Sequence, residues 1–430
     1  MKKNKFLKMT ILLIIGGFIT KILGMLIKIV MTRYLKTEGI GIYMLIMPTF
    51  GLLVSIASLG FPATISKLVA EEKFNNKSLV LGIIPISLLI NLVIIIFLIF
   101  FGKYLSINLL KESRTYLGII AIGFVLPFVS ISSILRGYFF GKERMLPHII
   151  SNILEDIIRL ILIVLFVPYF LKKGIEYAVC FTILISIFSE LSSIIIFLFC
   201  LPKKIKISKD DFKPKKDYIK IILSLSLPTT GSRLIGNIGY FFEPIILTYA
   251  LTLCGYSNSF IINEYGILNG YVMPLILLPS FFTMAISQAL IPFISKAYSN
   301  KNYKATKRKI EQAIFYSLLI GIPSTLIFMF IPEIPLKLIY NTNEGISYIK
   351  FLAPICLFHY IQAPLTGALQ AMGKAKEAMY GTILGMIFRT LSLFFLSLMK
   401  IGIWGLIIAT SINILIVTFN QMKYVKRFLK

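Results

Sequence analysis

Acidic residues are scarce in this chain: 18 Asp and Glu stand against 45 Lys and Arg in 430 residues. No paired-carboxylate, H-E-x-x-H or Walker A motif occurs, which removes the usual supports for acid–base, zinc-peptidase and nucleotide chemistry. Histidine is nearly absent, with His148 at a loop edge and His359 alone in an apolar stretch. The four cysteines (Cys180, Cys200, Cys254 and Cys356) have neither C-x-x-C nor metal-ligand spacing and read as packing residues. An enzyme is therefore not expected, and no catalytic residue, cofactor or metal is assigned. Charge of either sign is thin at 15%, whereas 57% of the residues are hydrophobic. A soluble chain of this length could not hide so much apolar surface, so its solvent is lipid.

Apolar stretches long enough to cross a bilayer, about 20 residues each, recur near 10–33, 40–66, 79–101, 115–139, 149–171 and 177–201. A second set follows near 219–253, 266–294, 312–331, 347–370, 378–399 and 402–422. The pattern predicts an all-α polytopic membrane protein of about twelve transmembrane helices. The first stretch is too long for a signal-peptide core and lacks a small-residue cleavage site, so it is expected to be retained. With the first residues inside, alternate loops hold 30 of the 45 cations, and segment 254–265 on the other side holds none. This positive-inside bias predicts a multi-pass protein of the cytoplasmic membrane with both termini cytoplasmic. Most of the net charge of +27 is then topology, and a nucleic-acid partner is not expected.

The chain also resembles itself. Thr20-Lys21-Ile22-Leu23-Gly24 in the first stretch is matched by Ser232-Arg233-Leu234-Ile235-Gly236 in the seventh. Met47-Pro48 is matched by Met273-Pro274, Pro62 by Pro292, Gly137 by Gly367, Gly141 by Gly373, and Arg159 by Arg389. Offsets of 212 to 232 always pair stretch n with stretch n+6, and six is even, so both halves enter the membrane in the same sense. The expected architecture is two parallel six-helix bundles, residues 1–201 and 219–430, joined by a basic cytoplasmic linker at 202–218. A pseudo-two-fold axis along the membrane normal would relate them around a central cavity.

Charges at membrane depth cost roughly 2.5–3.5 kcal/mol each even on lenient scales, so their positions carry information. Lys21 and Lys28 share a helix face with Gly17 and Gly24, which suggests a face turned to protein or a cavity. Lys28 is also near enough to the outer end to snorkel. The seventh stretch holds Arg233, Gly236, Gly239 and Glu243 between Pro228 and Pro244 and is expected to be a broken helix. Glu243 lies about 80° from Arg233 around the axis, compatible with an ion site or a charge partner. Asn152, Glu155 and Arg159 fall on one face, so Glu155 and Arg159 are expected to neutralise one another. The equivalent face at Thr382, Gly385 and Arg389 has lost the carboxylate, so Arg389 is expected to lack a local counter-ion and to be free for an anion. Glu190 has no evident sequence partner and fits a protonated or ion-coupled carboxylate. The candidate anion-binding residues are thus Lys21, Lys28, Arg233 and Arg389. Glu155, Arg159, Glu190 and Glu243 are the ion-coupling or charge-pair candidates.

Several motifs resemble a known family. They are Ile19–Gly24, Gly39-Ile40-Gly41-Ile42-Tyr43, Gly60–Glu71, Leu135-Arg136-Gly137-Tyr138-Phe139, Pro279–Ala285 and Gln370-Ala371-Met372-Gly373-Lys374. Together with Gly141, Met145, Pro147, Glu155 and Arg159 they resemble the sporulation-linked polysaccharide-flippase branch of the MATE-like (multidrug/oligosaccharidyl-lipid/polysaccharide, MOP) superfamily, related to lipid II flippases. The resemblance implies a flippase for a lipid-linked saccharide of undecaprenyl-diphosphate type, serving cell-wall or spore-cortex synthesis. It also implies cavity roles for Lys21, Lys28 and Arg233, whose counterparts in related lipid II flippases are basic. Relatives of this type commonly carry two further C-terminal helices that form a groove for the lipid tail, which twelve stretches do not provide. The expected partners are an anionic lipid-linked substrate and membrane lipids, with a monomer as the functional unit. Direction would come from the membrane potential alone or from coupling to Na⁺ or H⁺. A MATE-type Na⁺- or H⁺-coupled exporter of drugs or metabolites is the rival reading, although such a protein would be expected to place more acids than cations at depth. A teichoic-acid or capsule precursor carries the same diphosphate and is not separated from lipid II by sequence.

Overall fold

The computed structural model describes residues 2–71, 75–201, 209–212 and 216–429. Side chains are described from residue 15 onward within these ranges, except at 209–210, 216–217, 228–229, 232–233, 235 and 292. Most of the linker expected at 202–218 therefore lies outside the described residues. Every regular element among the described residues is helical. They form two compact units, residues 1–241 and 242–430.

In the N-terminal unit, α1 (Lys2–Ser58) bends at Lys36, whose φ of 54° and ψ of −170° interrupt the helix. The first two apolar stretches thus form one kinked path. At its end Gly60, at φ 62°, makes the left-handed turn into α2 (Phe61–Ala70), a conformation that costs glycine little. The Asn75 side chain accepts from Lys77 N at 3.1 Å and Ser78 N at 3.4 Å, capping α3 (Asn76–Tyr104). Then come α4 (Tyr116–Gly141), α5 (Met145–Leu171) and α6 (Ile175–Phe199). The seventh stretch becomes α7 (Lys216–Leu253), a single helix of 38 residues. The break expected there is absent: α7 runs on through both prolines.

The boundary between the units falls within α7, after Phe241. The reason is local packing. Ile222 is buried in the cluster of Phe61, Ile65, Leu135, Phe139 and Phe197, and the Asn237 amide donates to Ser55 Oγ.

The C-terminal unit continues with α8 (Asn258–Gly266), a π-helical turn at Ile267–Val272, and α9 (Met273–Ile276). A turn at Leu277–Pro279 leads into α10 (Ser280–Ser299), so the interruption in this half lies in the eighth stretch. The unit is completed by α11 (Tyr303–Phe330), α12 (Glu333–Tyr340), α13 (Ile346–Ala371), α14 (Ala375–Ser397) and α15 (Trp404–Phe428). Asn302 Oδ1 caps α11 by accepting from Ala305 N at 3.0 Å.

Eight helices among the described residues are long and apolar enough to cross a membrane, or nine if the bent α8–α10 path is one span. The internal resemblance seen in sequence reappears as packing within each unit. In the first, α4 packs on α2, α3 and α6, and α5 packs on α6. In the second, α13 packs on α10, α11 and α15, and α14 packs on α15. Matching glycines permit matching crossings. A Cβ on Gly137 would lie 2.9 Å from Pro62 O, and one on Gly141 would lie 2.6 Å from Val69 Cβ and 2.7 Å from Ser66 O. On α13, a Cβ at Gly367 would overlap Ser287 Oγ.

Replacing Gly141 by Val should destabilise the fold by about 1–3 kcal/mol, the usual cost of overpacking. Gly24, where an added Cβ meets nothing within 4 Å, should accept Ala without loss. Thermal unfolding of the two detergent-solubilised variants checks this; equal midpoints would contradict the packing role.

Candidate functional site

Three groups of charged side chains stand out in the helical units, and two of them are held as guanidinium–carboxylate contacts. In the N-terminal unit, α5 presents Glu155 and Arg159 one turn apart. Arg159 Nη2 donates to Glu155 Oε1 at 2.9 Å and to Ser189 Oγ of α6 at 3.1 Å. Arg136 of α4 brings its Nη2 to 3.9 Å from Glu155 Oε2. One carboxylate thus stands between two guanidinium groups, as a buried charge requires. Beside them is a cavity of about 320 Å³ lined by Tyr43, Glu155, Arg159, Thr182, Ser186 and Glu190. Glu190 is 8% exposed, and its Oε2 is buried without a hydrogen-bond partner among the described residues. The lining thus holds two carboxylates and one arginine, with Arg136 close to Glu155 as a second cation.

In the C-terminal unit Arg389 of α14 does have a counter-ion, contrary to the expectation from its own helix. Its Nη2 pairs with Glu243 Oε2 of α7, and Tyr265 Oη of α8 donates to Glu243 Oε1 at 3.1 Å. Both side chains are nearly buried, at 13% and 7% exposure, so the pairing removes Arg389 from the set of cations free for a ligand. The matching place on α14 has no room for a carboxylate. At Gly385, which matches Glu155 at the offset of 230 that relates Arg389 to Arg159, an added Cβ would lie 2.5 Å from Val417 Cγ2 and 3.1 Å from Asn413 Nδ2. With α15 pressed so close, the partner must come from another helix.

The third group is Lys21 and Lys28 on α1. Lys21 is exposed and Lys28 half-buried. The glycines on their face behave differently from the expectation of close helix approach: Cβ atoms on Gly17 and Gly24 would meet nothing within 4 Å. The same openness surrounds the matching segment of α7, at Gly231 and Gly236. The side chain of Arg233 itself lies outside the described residues. No group of three or more His, Cys, Asp or Glu able to hold a metal occurs among the described residues. Sequence reading missed Arg136 as a second neighbour of Glu155 and Tyr265 as a donor to Glu243. Arg136 ends an apolar helix and gives a weak signal; Tyr265 gives none, because its partner is 22 residues away.

The family model described as polysaccharide biosynthesis protein matches residues 6–298, and the MatE model matches residues 244–395. The chain is 35% identical to stage V sporulation protein B of Bacillus subtilis (strain 168), over 100% of this chain and 85% of that protein. It is 23% identical to lipid II flippase MurJ of the same organism, over 95% and 80% of the two chains. Among solved structures, the inward-facing conformation of a multidrug resistance MATE family transporter of the MOP superfamily gives a TM-score of 0.73 at 16% identity, covering 95% of this chain and 94% of that one. A MOP superfamily transporter from Pyrococcus furiosus, described as having a binding pocket of reversed polarity, gives 0.62 at 16% identity over 100% and 97%. The fold is therefore that of the MOP-superfamily transporters.

Removing Glu243 with Ala should cost about 3–5 kcal/mol, because Arg389 is left buried and uncompensated. Adding Arg389→Met to that variant should restore most of the loss. Thermal unfolding of the single and double variants in detergent measures both effects, and a Glu243→Ala protein as stable as wild type would refute the structural pairing.

Proposed function

Because the chain belongs to the polysaccharide biosynthesis protein family, we propose that it is a flippase. Its cargo is an anionic lipid-linked saccharide precursor of undecaprenyl-diphosphate type, lipid II or a relative, carried across the cytoplasmic membrane for cell-wall or spore-cortex synthesis. Both termini are on the cytoplasmic side, in keeping with the positive-inside bias of the loops.

One observation carries this reading. The arginines at depth in α5 and α14 are neutralised by Glu155 and Glu243, whereas Lys21 stands exposed on an open, glycine-flanked face. A cation that is neither paired nor packed is one that a ligand can reach, and its charge selects an anion. A diphosphate also suits the planar fork of an arginine such as Arg233, the counterpart of Lys21 in the second half. Lys28, a little under two turns further along α1 on the same face, extends the positive surface.

A second feature supports ion coupling as an addition to this reading. Glu190, whose buried Oε2 has no hydrogen-bond partner among the described residues, lines a cavity with Thr182, Ser186, Glu155 and Arg159, where it could hold Na⁺ or a proton. Coupling there would tie transport to an ion gradient without placing the ion against the cargo.

The assignment is tested in proteoliposomes with a fluorescent undecaprenyl-diphosphate saccharide. Lys21→Ala should slow translocation at least tenfold while membrane insertion is unchanged, and Lys21→Arg should retain most of the rate. A wild-type rate in Lys21→Ala would sink the assignment. If an ion gradient accelerates the wild-type protein, Glu190→Gln should abolish that acceleration and leave cargo binding intact; acceleration that survives would exclude Glu190 as the coupling site.

A further inference from the structure

The C-terminal unit contains a cavity of 330 Å³ between α10 and α13 whose lining includes no Asp, Glu, Lys or Arg. Its volume falls at the lower end of small-molecule sites, about 300–1,000 Å³. The polar residues around it form two facing stripes. On α13 they are His359, Gln362, Thr366 and Gln370, at spacings of three and four that keep them on one helix face. On α10 they are Ser280, Thr283, Ser287 and Gln288.

Some of these groups are committed to the scaffold. Gln362 Nε2 donates to Ile414 O at 3.0 Å and Thr418 Oγ1 at 2.9 Å, and Ser287 Oγ donates to Ala363 O at 2.7 Å. Others are not. Ser280 Oγ is buried with no partner among the described residues, and the Gln288 and Gln370 amides are exposed at the cavity. An unmet hydrogen-bonding group inside an apolar bundle is costly, so the buried Ser280 hydroxyl beside this polar stripe calls for a use.

The internal repeat supplies a control for whether the helix crossing itself demands this polarity. Gly137 of α4 and Gly367 of α13 are 230 residues apart and sit at matching close contacts. At that offset His359, Gln362, Thr366 and Gln370 correspond to Val129, Ser132, Arg136 and Phe140. The same crossing in the N-terminal unit thus forms with apolar side chains, one hydroxyl and a cation. The hydroxyl and amide stripe is particular to the C-terminal unit and is not a requirement of the fold.

We infer that this cavity is a binding site for a neutral sugar ring, and that it receives the saccharide portion of the cargo, which in this respect rests on the flippase reading. The chemistry of the lining selects the ligand. Without a carboxylate it offers little to a cation, and without Lys or Arg it offers little to a phosphate. Hydroxyls and amides that both donate and accept match the alternating donors and acceptors of a hexose or N-acetylhexosamine. Ser280, Thr366 and Gln370 are the side chains assigned to that contact.

Binding is measured with the full-length protein in lipid nanodiscs, using three probes: undecaprenyl diphosphate, the same lipid carrying one N-acetylhexosamine, and a short alkyl N-acetylhexosaminide without phosphate. Wild type should bind the glycosylated lipid about tenfold more tightly than the bare diphosphate and should bind the alkyl glycoside. Thr366→Val combined with Gln370→Leu should erase the tenfold increment and the glycoside binding, with bare-diphosphate affinity held within twofold. Thr366→Ser, which keeps the hydroxyl, should behave as wild type and shows that the site tolerates exchange. An increment that persists in the double variant, or a wild-type protein that ignores the alkyl glycoside, would overturn the sugar site. Failure of wild type to bind bare diphosphate, with glycoside binding still sensitive to Thr366 and Gln370, would defeat the anionic-lipid reading and leave the sugar site standing.

Discussion

A charge placed among apolar helices must be paired, hydrated or in use, and that constraint organises the interior of this protein. Arg159 and Arg389 occupy the same position in the two halves, and each has a carboxylate, yet the carboxylate comes from different places. In the first unit it is Glu155, one turn away on the same helix. In the second it is Glu243 from α7, because the close approach of α15 leaves no room for a side chain at Gly385. Duplicated sequence has kept the cation and its neutralisation while exchanging the means. Against that background Lys21 differs from the paired arginines in being exposed and flanked by open glycines.

Glycine marks the same division between scaffold and working surface. At Gly137, Gly141, Gly367 and Gly385 the missing side chain is filled by a neighbouring helix, which locks the crossings of α4 with α2, α13 with α10 and α14 with α15. At Gly17, Gly24, Gly231 and Gly236 nothing fills the space, and all four accompany a cation of the matched segments in α1 and α7. Packed glycines give each unit a fixed frame. Open ones leave the face of Lys21 unfilled.

Much of the fold was legible in the sequence because lipid imposes simple rules. Hydropathy located the helices, and order-preserving matches such as Gly137 with Gly367 exposed the repeat, which the packing of α4 and α13 reproduces. The Glu155–Arg159 contact could be read from helical spacing alone. Pairings between distant segments could not. Nothing local connects Glu243 to Arg389 across 146 residues, so Arg389 looked free when it is not. Helix interruption was misplaced for a related reason. Prolines drew attention to α7, but a helix can absorb a proline when its neighbours meet the freed backbone group, and the actual break lies at Leu277–Pro279. The hydroxyl and amide stripe of α13 is visible as a pattern only once Gly367 and Gly137 are known to sit at equivalent crossings.

The sign of the charge moved with the cargo bears most directly on the central proposal that an exposed lysine selects an anion. An inside-negative potential favours outward movement of an anion by about 2.3 kcal/mol per charge per 100 mV. Translocation of an undecaprenyl-diphosphate saccharide in proteoliposomes should therefore run faster out of the negative compartment, and inverting the potential should invert the preference. Equal rates under both polarities, or faster movement toward the negative side, would contradict an anionic cargo carried with its charge.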